Sequence, residues 1–229
     1  MGFKQLIGGL AVATALTLAL APGHAQAVNL DFNMDGVHPA GASISYAGGA
    51  APLVGTQISV DSVAGLQTPL NQGSILACTG CLLSFTTGNL TSYDGANNMY
   101  NFAGGGSISV VGTITLAGIT NATILTGSFA QASVVATQNG FMVTIASFTD
   151  TKNAALLNYF GLPTNVPYAG NMNLSFSVAG GVTNGAAFRS TQVLSGDLTN
   201  TVPEPASVLL LGSGLAAMGL WGIKRRKRA

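Results

Sequence analysis

Ser107-Ile108-Ser109-Val110-Val111-Gly112-Thr113-Ile114-Thr115-Leu116 alternates small or polar residues with apolar ones nearly throughout. Period two in β-branched residues predicts a strand with one face buried and the other wet. The same alternation recurs on both sides of this stretch. It appears in Ile44-Ser45-Tyr46, in Leu82-Leu83-Ser84-Phe85-Thr86, in Phe141 to Phe148, in Leu174-Ser175-Phe176-Ser177-Val178 and, more loosely, in Ile124 to Val135. Ala47-Gly48-Gly49, Gly104-Gly105-Gly106 and Gly180-Gly181 read as turns between strands. Many short strands with regular turns predict a mainly β body, a β-sandwich or jelly-roll.

One helix interrupts the pattern. Asp150 is the expected N-cap, Lys152 to Phe160 the helical stretch, Gly161 the left-handed C-cap and Pro163 the stop. Leu156, Leu157 and Phe160 would lay this helix on one end of the sandwich as a lid.

Charge is scarce, at 7% of 229 residues, against about 25% in an ordinary soluble protein. Ser and Thr on the outward strand faces bind water without charge and explain how such a body stays hydrated. Between residues 28 and 201 the bases are Lys152 and Arg189. The acids there are Asp31, Asp35, Asp61, Asp94, Asp150 and Asp197, a net charge of −4. A net acidic body does not suit nucleic acid, whose phosphates call for Lys and Arg.

Catalytic patterns are sparse. His38 is the one histidine beyond residue 27, beside Pro39 in an expected turn, and the body holds no glutamate. No Gly-x-Ser-x-Gly elbow or phosphate loop occurs. The reading is non-enzymatic, with a secreted hydrolase the weakest rival. Cys78-Thr79-Gly80-Cys81 leaves three options: a local disulfide, a redox pair or half a metal site. An oxidising, exported location favours the disulfide. Asp31-Phe32-Asn33-Met34-Asp35-Gly36 fits the opening of a calcium loop, with Asp31, Asn33 and Asp35 as ligands. The twelfth position is Ala42 where a bidentate Glu belongs, so an Asx-rich turn is the plainer reading. A carbohydrate-binding module, calcium-assisted or not, is the alternative function, with Tyr46, Tyr93, Tyr100 and Phe102 as candidate stacking aromatics. No cofactor is expected.

The two ends carry addresses. Lys4, the apolar run Leu6 to Ala21, the Pro22-Gly23 break and Ala25-Gln26-Ala27 together read as a signal peptide over residues 1–27. Its cleavage pattern is set by Ala25 and Ala27. At the other end, Val202-Pro203-Glu204-Pro205 is extended and accessible, because two prolines fit neither a helix interior nor an inner strand. Ala206 to Ile223 follows, eighteen residues that span roughly 27 Å as a transmembrane helix. Lys224-Arg225-Arg226-Lys227-Arg228 then forms a basic stop that stays cytoplasmic. The body, residues 28–201, is therefore expected outside the inner membrane.

The order Pro-Glu-Pro, apolar helix, Arg-rich end resembles the PEP-CTERM sorting signal of Gram-negative bacteria, over residues 202–228. The resemblance implies recognition and processing near Pro203-Glu204-Pro205 by an exosortase, a membrane cysteine protease. It implies further partners in the export machinery and exopolysaccharide, and a final place at the cell surface or in the biofilm matrix.

Overall fold

The computed structural model describes residues 28–137, 141–179 and 185–201. The expected signal peptide, the Gly180-Gly181 turn and the sorting segment 202–228 lie outside them. Among the described residues, no helix is long and apolar enough to cross a membrane.

Among the described residues ten antiparallel strands follow one another: β1 (Asn29–Asn33), β2 (Ser43–Tyr46), β3 (Pro52–Leu66), β4 (Ile75–Asp94), β5 (Met99–Phe102), β6 (Gly105–Ile114), β7 (Ile119–Ala136), β8 (Phe141–Lys152), β9 (Tyr168–Val178) and β10 (Phe188–Thr201). All belong to one sheet. Both β1 and β2 lie between β3 and β10, so together they form one interrupted strand. Similarly, β5 and β6 share the space between β4 and β7. Eight strand positions result, each paired to its sequence neighbour. The ring closes where β1 meets β10, with Asn29 opposite Thr201 and Asn33 opposite Asp197.

The β-rich reading and the single short helix agree with this architecture, but the two-sheet expectation does not. The molecule is a closed up-and-down barrel rather than a pair of facing sheets. Period two reports that each strand buries one face; a sandwich and a barrel both satisfy it, and only pairing order separates them. Strand length is the physical difference here. β3, β4 and β7 run for 15, 20 and 18 residues, and strands this long coil strongly enough to curl a sheet shut. Gly104-Gly105-Gly106 is accordingly no reversal: β5 and β6 run in the same direction on either side of it, and the glycines only kink the strand.

A single apolar core fills the ring, including Leu30, Phe32, Ile58, Leu83, Phe129 and Phe176. The outward residues of β9 are Ala169, Asn171, Asn173, Ser175 and Ser177. This apolar-in, polar-out arrangement is the reverse of an outer-membrane barrel, whose lipid face is apolar.

The two ends of the barrel differ. At one end an aromatic cluster joins Tyr46, Tyr100, Phe102 and Phe188, with ring centroids 5.5–5.8 Å apart. At the other end lies the helix α1 (Ala154–Phe160), which buries Leu156, Leu157 and Phe160 as the sequence suggests. Asn153, not Asp150, is its N-cap, accepting from the Ala155 N–H at 3.0 Å. Gly161 takes the expected left-handed cap. Strand β8 simply runs four residues further than the sequence pattern suggests, carrying Asp150 and Lys152 into the barrel.

Candidate functional site

The residues with calcium-loop spacing line an outward polar groove. Strand alternation puts Asp31 and Asn33 of β1 on the outer face. Register then sets Asn33 beside Asp197 of β10, and Asp197 beside Asn173 of β9. With Asp35 they line an open depression of ≈ 310 Å³. Burial, then the charges of Asp197 and Asp35, push the Asp31 carboxyl above its usual range. Asn33 Oδ1 accepts the Asp35 N–H at 3.0 Å, which makes the segment an Asx turn. Among the described residues, no group of three or more His, Cys, Asp or Glu is placed to hold a metal.

His38 lies in the segment between β1 and β2, pinned against β3. Its Nδ1 accepts the Ser59 N–H at 3.1 Å, while Nε2 is buried without a partner. Asp61, also on β3, accepts the Gly36 N–H at 2.6 Å and faces Ser59 Oγ at 3.3 Å. Burial lowers the His38 pKa from 6.5, partly opposed by Asp61. The histidine thus fastens a loop to the barrel wall.

The candidate aromatics divide. Tyr46, Tyr100 and Phe102 are buried in the core. Tyr93 is half-buried and hydrogen-bonds Asn98. They do not form an outward stacking platform, since inward register claims three of the four.

Cys78 and Cys81 are joined as a disulfide. In a flat strand, residues three apart face opposite sides. Here Gly80 takes φ +60°, and pairing slips between Thr79 and Leu82 on the β6 side. The resulting bulge turns both cysteines inward, where they are buried.

One buried group escapes the sequence reading. Lys152 Nζ lies 2.6 Å from Asp150 Oδ2, and both side chains are fully buried. Asn200 Nδ2 donates to the other carboxylate oxygen at 2.7 Å. The Tyr168 ring lies under the amine, 4.2 Å from its centroid, and Tyr168 Oη donates to Pro163 O at 2.6 Å. The signal available in the sequence was the i, i+2 spacing of Asp150 and Lys152, which places both on one face of a strand; assigning them to the helix hid it.

Residues 201–228 match the PEP-CTERM protein-sorting motif. The motif begins at the last residue of β10 and marks the chain for exosortase-directed sorting and surface display. No curated protein and no solved structure matches the chain.

Proposed function

We propose that this chain is an exported, non-enzymatic surface or matrix protein. Its barrel is held outside the inner membrane by the C-terminal segment, then processed by an exosortase and passed to the exopolysaccharide or biofilm matrix. The observation that carries this reading is the junction at Thr201, where the barrel's final strand runs directly into the sorting motif. Asn29 pairs with that residue, so both ends of the body leave from the lidded end. The aromatic end then points away from the membrane. The signal peptide over residues 1–27 supplies export, and the buried, packed interior favours a structural role over catalysis.

Following the C-terminus in cells with and without the exosortase tests the reading. With the enzyme, an epitope on the barrel and one placed beyond Arg228 should separate. Without it, both should stay together in the inner membrane. Co-fractionation of both epitopes in the presence of the enzyme would overturn the reading.

A second reading rests on the outward groove. Asp31, Asp35 and Asp197 accept hydrogen bonds, and Asn33 and Asn173 both donate and accept, which suits a hydroxyl-rich polysaccharide. Retention of the protein on isolated exopolysaccharide, with loss in Asp31→Ala/Asp197→Ala, would support this carbohydrate-binding role. A chelator arm would show whether calcium takes part.

A further inference from the structure

Asp150, Lys152 and Asn200 are polar groups enclosed in an apolar barrel, and their placement is chemical as well as structural. One carboxylate holds an amine on one oxygen and a primary amide on the other, at 2.6 and 2.7 Å. The three come from two strands, β8 and β10, that are not neighbours; β9 runs between them. Gly170 of β9 sits in the row between Phe148 and Asn200. A Cβ there would meet Asn200 Nδ2 at 2.5 Å and the Phe148 ring at 2.3 Å. The missing side chain is the gap through which Asn200 reaches Asp150.

We propose that Lys152 and Asn200 join through an intramolecular amide bond formed inside the barrel, with Asp150 carrying the protons. The reactive form is the neutral one, and burial favours it. Desolvation lowers the Lys152 amine to about 8 and raises the Asp150 carboxyl, although their mutual attraction opposes both shifts. The Asn200 Oδ1 has no hydrogen-bond partner. Turning the amide over brings that oxygen against Asp150 in place of Nδ2, and a protonated Asp150 then donates to it. The carbonyl is thereby polarised, as the step requires.

The step balances without a co-reactant. The Lys152 Nζ lone pair attacks Asn200 Cγ, forming the C–N bond, and the carbonyl π pair moves to Oδ1, which takes the Asp150 proton. Nζ gives up a proton to the carboxylate. The Cγ–Nδ2 bond then breaks as the departing nitrogen takes the Asp150 proton and leaves as ammonia, and the carbonyl reforms as Oδ1 returns its proton to the Asp150 carboxylate. Asp150 ends protonated, as it began. The product holds no buried charge, which removes the desolvation cost that a buried ion pair carries. It also ties β10 to β8 one residue before the sorting motif.

The test is a peptide map of the full-length chain extracted from membranes, denatured, reduced and digested with trypsin. An amidated lysine resists trypsin, whereas Arg189 is still cut. The expected result is no cleavage after Lys152. The peptide that starts at Ser190 should appear joined to the one that holds Lys152, lighter than the two together by one ammonia. Asn200→Ala should restore cleavage after Lys152, and Asp150→Ala should lose the linked species. Persistent linkage in Asp150→Ala would overturn the role of the carboxyl. Cleavage after Lys152 in all wild-type molecules, with the Ser190 peptide free at its full mass, would overturn the bond itself, whatever the variants do.

Discussion

Gly170 shows how much one absent side chain decides. Its strand neighbours press Phe148 and Asn200 into the space that a Cβ would fill, each closer than 3 Å. Gly170→Ala should therefore cost roughly 1–3 kcal/mol, as overpacking of a filled core does. A urea melt measures it, and the same variant should weaken the contact of Asn200 with Asp150. His38 makes a different residue-scale case. Its Nδ1 must be unprotonated to accept from Ser59, and burial holds its folded pKa below the unfolded 6.5. The folded state then binds fewer protons than the unfolded one, so stability rises with pH. The contribution is present above about 6.5 and is lost as pH falls through the lowered folded value. Asp61 and Ser59 are the polar groups facing the ring. Thermal melts at pH 7.5 and pH 5 should show a larger loss for the wild type than for His38→Gln, whose side-chain oxygen accepts at either pH. Neither residue's role was legible beforehand. A glycine in a strand and a histidine beside a proline look alike in sequence whether they sit under a ring or in open solvent.

At the scale of the element, the strands were legible and their partners were not. Alternation located parts of β2, β4, β6, β7, β8 and β9 because a strand with one buried face must alternate. It underestimated their lengths wherever bulges broke the period, as at Cys78–Cys81. The helix lid was legible through Gly161 and the Leu156, Leu157 and Phe160 stripe, but its N-cap was misplaced by three residues. Asp150, a good cap by type, is spent inside the barrel instead. The disulfide belongs to this scale too, because it fixes the shape of β4 rather than joining distant segments. Its loop is short, so the chain-entropy model gives only about 2 kcal/mol. Cys78→Ala/Cys81→Ala should lower the unfolding free energy by about that amount and leave the far-UV spectrum unchanged. Gly112 faces the pair across the strand, and a Cβ there would meet Cys81 Sγ at 2.4 Å. That Cβ would also meet the Cys81 Cα at 2.5 Å, a contact the alanine double variant keeps, so Gly112→Ala should destabilise both proteins.

For the whole molecule, what matters is how the barrel and its tail divide the work. Among the described residues the closed ring leaves no open sheet edge, and β9 turns a polar face outward. The address lies in the tail, where Pro203-Glu204-Pro205 precedes the apolar run Ala206 to Ile223 and the bases Lys224 to Arg228. These three parts act through separate physics, so they should fail separately. Replacing Pro203, Glu204 and Pro205 with alanine leaves the apolar length and the five bases untouched, so insertion and orientation should survive. It removes two proline-fixed φ angles, and alanine has a far higher helix propensity than proline. The exosortase should lose its recognition segment, and the full-length protein should accumulate in the inner membrane with the barrel outside. Replacing Lys224 to Arg228 with serine should instead disturb orientation or retention while leaving Pro203-Glu204-Pro205 readable. A fractionation blot with one epitope on the barrel and one beyond Arg228 distinguishes the two failures. The first variant keeps both epitopes together in the membrane, whereas the second misplaces the C-terminal one. Release of the triple-alanine variant at the wild-type rate would mean that these three residues are not what the enzyme reads, and the tail would be a plain anchor.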